Sequence, residues 1–520
     1  MTNPPVDVQQ YGQSIWIDNI RRKLLSDGTF RTWIDEFGVV GVTSNPTIFQ
    51  KAIGGSDDYD SAIKEWLNEE PEQIYERLAI GDIQAAAAMF RPIYDATNGV
   101  DGCVSLEVSP RLARDTQGTI EEAKRLDAAV GAPNVMIKIP ATPEGIPAIE
   151  AVIAAGINVN VTLIFAVSNY LEVAEAYMRG LEQRLARGES VAGIASVASF
   201  FVSRIDTMID GILQNNMRAA QGRDLARVTA NEQLLGKAAI ANAKLAYKHF
   251  MTLFYGERFA ALKAAGASVQ RPLWASTGTK NPAYPDTLYI DSLIGRDTVN
   301  TVPPDTLAAF KDHGTVRESI LDDIDDAQSV LDMLAEVGIE IDVITKRLQD
   351  DGVESFGASF ESLMEQVESK RTVLITGVMA GQKAALGIYG DAVQATLKAL
   401  DKKFINGRIW AKDGSVWKDH AATIAKIEQR LGWLDVQTSI DMPRLKALQA
   451  SIQAEGAFAH IILLGMGGSS LAPEVIYQTY GKREGFPAFL MLDSTVPERV
   501  LEIERAVDLS KTLFIVASKS

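Results

Sequence analysis

Eight short runs of apolar and β-branched residues recur through the first three-fifths of this chain, separated for the most part by stretches of helical periodicity. The runs are Ser14–Asp18, Val39–Thr43, Cys103–Val108, Val135–Pro140, Asn158–Phe165, Ala195–Val202, Pro272–Ser276 and Asn300–Val302. Between them lie amphipathic segments such as Ile120–Val130, Gly145–Ala155, Asn169–Arg187 and Glu232–Ala265. This alternation predicts parallel strands joined by crossover helices. Eight repeats predict a (β/α)8 (TIM) barrel within an α/β fold class. An open doubly wound sheet satisfies the same periodicity.

Strands buried on both faces should read as near-continuous apolar runs. Six of these break that rule near their C-terminal ends. Asp18 ends the first, Asn45 follows the second, and Glu107, Lys138, Asn160 with Thr162, and Ser199 sit in the third to sixth. Any one of them alone reads as a hydrogen-bonded core residue or a strand-end cap. All six at one end of a barrel would surround its active-site mouth.

Lys138 lies in the strand-like MIKIPAT. Alternation puts it on one face with Met136, opposite Ile137 and Ile139. A buried ammonium is costly, burial favours the neutral amine, and a neutral amine attacks a ketone to form a Schiff base. The plainer reading is a lysine snorkelling from a strand end or paired with Glu107. Schiff-base chemistry also needs an acid/base for carbinolamine dehydration, and Glu107 with a water held by Thr162 suits that step. Asp18 is the available base for the sugar hydroxyl when a C–C bond breaks. Asn45, Asn160 and Ser199 suit substrate hydroxyls. Arg204 and Lys280, just past the sixth and seventh runs, suit a phosphate.

Charge and composition narrow the partners. The formal net charge of −16 argues against a protein that coats nucleic acid. It leaves room for a small anion, which a few N–H groups and one or two cations can hold. Cys103 is the only cysteine, so no internal disulfide can form and a reducing cytoplasmic setting is expected. No apolar stretch is long enough to span a membrane, and the first ten residues lack signal-peptide order. No His/Cys/Asp cluster has ligand spacing, so neither a metal nor a cofactor is expected. The oligomeric state is left open.

Beyond about residue 305 the pattern changes. Asp322–Leu334, Glu340–Asp350 and Glu354–Lys370 read as acidic helices packed on the barrel exterior, and DDIDDAQ as a solvated face. A boundary is expected near Arg371, which divides the chain into 1–370 and 371–520. The second part carries helices to about Gly456, then the strand His460–Leu464, the glycine-rich GMGGSS, a helix, and strands in FLMLDS and TLFIVASKS. Its last strand has no covering helix. The unit therefore reads as an incomplete, doubly wound parallel sheet from a longer natural chain.

GVTSNPTIF, SLEVSPRLARD, MIKIPAT, INVNVTLIF, ASFFVSRID and WASTGTKNP together resemble transaldolase, from Asp18 to about residue 365. The resemblance implies a (β/α)8 barrel and sugar-phosphate substrates. Sedoheptulose 7-phosphate and glyceraldehyde 3-phosphate would give erythrose 4-phosphate and fructose 6-phosphate, a reaction of the pentose phosphate pathway. It further implies Lys138 as the Schiff-base lysine, Asp18 as the base for C–C cleavage, and Glu107 and Thr162 as holders of the water. Asn45, Asn160 and Ser199 would bind hydroxyls, and Arg204 phosphate. One departure stands out: WASTGTKNP lacks the second phosphate-binding arginine of the short members, and Lys280 replaces it as a point charge. Fructose-6-phosphate aldolases are the nearest competitor, but they resemble this chain less at Glu107 and Phe201, where they carry glutamine and tyrosine. A non-catalytic sugar-phosphate sensor is the non-enzyme alternative.

GMGGSSLAPEV, LDSTVP and VASKS resemble the beginning of glucose-6-phosphate isomerase. That resemblance implies phosphate contacts at Gly468, Ser469, Ser518, Lys519 and Ser520. The glutamate, histidine and lysine of isomerisation would lie further along, so isomerase activity is expected only of a longer chain.

Overall fold

The computed structural model describes residues 3–376, 387–403, 405–456 and 458–518. Eight parallel strands close into a barrel in sequence order: β1 (Gln13–Ile17), β2 (Gly41–Val42), β3 (Cys103–Glu107), β4 (Val135–Pro140), β5 (Val159–Ile164), β6 (Ser196–Phe201), β7 (Arg271–Ala275) and β8 (Thr298–Val302). Closure of β8 onto β1, with Gln13 opposite Thr298, excludes the open sheet. Each strand lies within two residues of a run expected from sequence.

Alternation sorts the side chains. On β3 to β6, Ser105, Glu107, Met136, Lys138, Asn160, Thr162, Ser199 and Phe201 share the inward face. Ile137, Ile139, Val159 and Val161 face the surrounding helices and are fully buried. The two-residue β2 depends on Gly41, where an added Cβ would stand 2.6 Å from the Trp16 ring. The N-terminal end of the barrel is stoppered by Arg271, which pairs with Asp101 at 3.1 Å and donates to Ser14 Oγ and the Thr298 carbonyl. Polar closure at this end serves stability; chemistry belongs at the other.

Three expectations change. The segment Glu232–Ala265 is divided into Ala238–Phe254 and Glu257–Ala264, after a helix ending at Glu232. The breaks fall at Gly236, with φ +69°, and at Gly256, whose position has no room for a Cβ beside the Thr252 carbonyl. The helix expected from Asp322 begins only at Ala327, and the aspartate run forms turns in which Asp325 is solvated and pairs with Lys248. The last two acidic segments form one 36-residue helix, Ile341–Thr376, and this helix is not confined to the barrel exterior. Its Gln349 donates to the carbonyls of Ala141 and Leu163 at two strand ends, and its Phe356 enters the cavity at the mouth.

That helix runs through position 371. The chain divides instead into compact units of residues 1–384 and 385–520, 14 residues beyond the expected boundary. In the second unit, the strands β9 (His460–Leu464), β10 (Ala488–Leu492) and β11 (Thr512–Val516) form a parallel sheet in the order β10-β9-β11. The glycine-rich turn leads from β9 into the helix Gly468–Tyr480, with Gly467 at φ +60°, a conformation that favours glycine. Among the described residues no helix is long and apolar enough to cross a membrane.

Candidate active site

At the C-terminal mouth of the barrel lies a cavity of about 360 Å³. Its walls include Asp18, Asn45, Lys138, Thr162, Ser199, Phe201, Arg204 and Lys280, so eight of the ten barrel residues singled out above meet in one space. Four basic side chains, Lys51, Lys138, Arg204 and Lys280, line it against one acidic side chain, Asp18. A chain with net charge −16 thus presents a basic mouth, the local arrangement an anionic ligand requires.

Lys138 is 4% exposed. Its Nζ donates to the Ser44 carbonyl at 3.1 Å and stands 3.6 Å from Glu107 Oε2. The strand register puts Glu107 directly beside Lys138, and Asn160 on its other side. Burial pushes the Glu107 carboxyl up to about 7, against the pull of Lys138 and with a small push from Asp18. This carboxyl can therefore hold or release a proton near neutral pH.

Asp18 follows β1 immediately. Its backbone N–H donates to the Val302 carbonyl, and its carboxylate accepts from Thr43 Oγ1 at 2.7 Å. Burial raises its pKa, while Lys138, the Thr43 hydrogen bond, Arg204 and Lys280 hold it down. Both phosphate-type cations thus act on the carboxylate across the cavity. Arg204 is the second residue of the helix Ser203–Ala220, with its guanidinium 5.4 Å from the centre of the Phe201 ring. Phe201 is packed in turn on Phe165, centroids 5.1 Å apart.

Thr162 is fully buried, and neither its Oγ1 nor Glu107 Oε2 has a hydrogen-bond partner within the protein. The register of β5 slips just beyond Thr162, between Val161 and Ile164, where Leu163 takes φ +60°. A bulge of this kind re-aims side chains beside a site. Asn45 caps the short helix Pro46–Phe49 by accepting from the Ile48 N–H at 2.9 Å.

Two candidates lie outside the cavity wall. Asn160 is fully buried beneath it, donating to Ser105 Oγ and accepting from Ser199 Oγ at 2.7 Å. It orients Ser199 and does not itself line the cavity. Glu107 borders a different, smaller space. The sequence reading missed Thr43, Lys51, Ser276, Thr301 and Phe356. Thr43 could have been found within GVTSNPTIF. Ser276 ends the expected run Pro272–Ser276 and could have been found there, whereas Lys51 lies outside the runs and nothing in the periodicity of Glu354–Lys370 marks Phe356 as reaching the mouth.

The model of the transaldolase/fructose-6-phosphate aldolase family matches residues 15–367. The chain belongs to this family. It is 44% identical over 374 residues to a transaldolase of Trichodesmium erythraeum, which spans 71% of this chain and 98% of that protein. A transaldolase of Neisseria meningitidis serogroup A is 46% identical over 360 residues, 69% of this chain and 97% of that protein. One from Saccharopolyspora erythraea is 47% identical over 362 residues, 69% and 95% respectively. The transaldolase-family match begins inside β1, takes in the seven other strands and ends inside the helix Ile341–Thr376.

Proposed function

We propose that the barrel is a transaldolase, moving a dihydroxyacetone unit between sugar phosphates through a Schiff base on Lys138. One observation carries this reading. A buried amine and a carboxyl raised to about 7 stand 3.6 Å apart, with the amine at the wall of a basic cavity. The neutral amine adds to the ketone. Glu107 then gives its proton to the departing hydroxyl, and Thr162 Oγ1 and Glu107 Oε2, neither hydrogen-bonded within the protein, hold the water. Asp18 takes the proton of the C4 hydroxyl as the C3–C4 bond breaks. Ser199 and Asn45 serve the sugar hydroxyls, with Asn160 setting Ser199. Arg204 and Lys280, joined by Lys51, serve the phosphate.

Borohydride trapping with fructose 6-phosphate tests this. The expected product is a chain heavier by one reduced three- or six-carbon adduct, on the peptide that carries Lys138. An unmodified Lys138 after trapping would sink the mechanism.

Phe201 favours transfer over simple aldol release. An apolar ring in the cavity wall offers no proton to the enamine, which then waits for an aldehyde acceptor. Phe201→Tyr supplies a hydroxyl there. It should raise acceptor-free release of dihydroxyacetone from fructose 6-phosphate by about tenfold or more. Unchanged release would refute this role for Phe201.

The second unit supports a separate reading, as the start of an isomerase-type domain that binds a hexose phosphate. Gly468 and Ser469 open the helix that follows β9, and Ser518 follows β11. These are C-terminal strand ends of one parallel sheet, where such sheets bind ligands. Lys519 and Ser520 lie outside the described residues. By calorimetry the full chain should bind glucose 6-phosphate, and Ser469→Asp should remove that binding while leaving adduct formation at Lys138 intact. Binding untouched by Ser469→Asp would overturn this reading.

A further inference from the structure

Lys138 and Glu107 are neighbours, yet they open onto different spaces. Lys138 lines the mouth cavity. Glu107 lines a second, narrow cavity of about 30 Å³ behind β3, together with Tyr75, Ser109, Glu76, Glu72 and Glu122. That volume has room for roughly two water molecules. Side-chain exposure rises steadily along its acidic wall, from 7% at Glu107 to 17% at Glu122, 32% at Glu76 and 52% at Glu72. The small cavity therefore reaches from the buried carboxyl toward solvent. Two polar atoms at its inner end, Glu107 Oε2 and Ser109 Oγ, are buried without a protein hydrogen-bond partner. Glu122, midway, accepts from the Ser109 N–H at 3.3 Å.

The chemistry needs such a route. When the imine forms, the sugar phosphate occupies the mouth cavity. The rear cavity offers the released water, and the proton for the next use of Glu107, a path that does not pass the bound substrate.

We propose that the rear cavity is the passage by which Glu107 exchanges protons and the water of imine formation with solvent, with Glu122 as the relay carboxyl. This rests on the Schiff-base reading. In dehydration, the Glu107 carboxyl proton passes to the carbinolamine oxygen and the C–O bond breaks. The nitrogen lone pair closes the C=N bond, leaving water, an iminium and the Glu107 carboxylate. Glu122 then returns a proton to that carboxylate through Ser109 Oγ and water, and recovers one from solvent. Hydrolysis runs the same steps backwards. Burial raises the Glu122 carboxyl, with Arg125 and the Ser109 N–H opposing and Glu76 and Glu72 reinforcing. The charged or titratable groups facing the passage are thus Glu72, Tyr75 and Glu76 from one helix, Arg111 paired with Glu72, Arg125 beside Glu122, and Glu107 from the strand with Lys138 beside it. Glu122 is a positioning residue for protons and does not touch substrate.

Glu122→Gln tests this directly, because glutamine still accepts from the Ser109 N–H but carries no exchangeable acid proton. The readout is the single-turnover rate of borohydride-trappable adduct formation with fructose 6-phosphate in the full chain. At pH 8.5 the variant should be roughly tenfold slower, less than the roughly 100-fold minimum typical of losing a direct acid–base group, since Glu107 remains. At pH 6 Glu107 starts protonated, so the two rates should coincide, and KM should not move. Added formate should restore the rate at high pH. Ser109→Ala should show the same pH dependence and serves if the first variant folds poorly. Equal rates at both pH values would overturn the proposal, as would a loss that is the same at both and insensitive to formate. A wild-type chain that forms no adduct at all would instead overturn the Schiff-base reading beneath it.

Discussion

Lys138→Met should lower transfer from fructose 6-phosphate to erythrose 4-phosphate by at least about 10⁴-fold, as loss of a covalent nucleophile does elsewhere. Methionine is unbranched and of similar length, so it fills most of the volume the lysine occupies. The variant loses one hydrogen bond, to the Ser44 carbonyl, and one close charge, beside Glu107. Without Lys138 the carboxyl has lost the main influence holding its pKa down, so it stays protonated to higher pH and the site remains close to neutral. Replacing a buried ion pair by neutral groups is often without cost to stability. The expected outcome is therefore a folded, inactive barrel with a melting temperature within a few degrees of the parent. Residual activity above about 1% in such a folded variant would refute the role of Lys138.

Glu107→Gln has the second largest effect, and it acts on both rate and stability. Loss of a direct acid/base should slow adduct formation by about 10²- to 10³-fold. The stability effect follows from the direction of the shift. The carboxyl titrates at about 7 in the folded chain against 4.5 when unperturbed. Between those values the native state binds the proton more tightly than the unfolded state. Stability from this group is therefore full below about pH 4.5 and falls as pH rises toward about 7, by at most on the order of 3 kcal/mol. Asp18 is raised as well and adds in the same sense. Carboxylates such as Asp58 and Glu361, held low by Arg21 and Arg111, act with the opposite sign, but at pH values below this window. Denaturant midpoints between pH 5 and 8 should fall in the parent, and the fall should be smaller in Glu107→Gln. Parallel curves for the two proteins would show that Glu107 does not carry the shift.

Much of the barrel was legible because strand patterning is local. A period of two needs only neighbouring residues to express itself, and β4 fell on the expected range Val135–Pro140 without a shift. The same alternation put Lys138 on one face with Met136, opposite Ile137 and Ile139. Helix ends were less legible. The expected helices Glu340–Asp350 and Glu354–Lys370 left a gap, yet the helix Ile341–Thr376 continues through it, its packing on the strand ends outweighing Gly352, a weak local helix former. The departure at Lys280 also acquires a context: this exposed lysine lines the same cavity as Arg204, and both act on Asp18.

The sequence by itself determined the alternation of strands and helices and the face Lys138 shares with Met136, and it named the candidate amine, carboxylates and hydroxyls. Closure decided the rest. Only when β8 met β1 did Asp18 come to share a cavity with Lys138, and only the tertiary structure laid Phe356 over the mouth and Lys51 at its wall. It also separated neighbours: Lys138 and Glu107, side by side in register, border different cavities. The physical reason is range. Which face a side chain takes depends on residues one or two places away, whereas the space it enters depends on elements brought together by the curvature of the closed sheet.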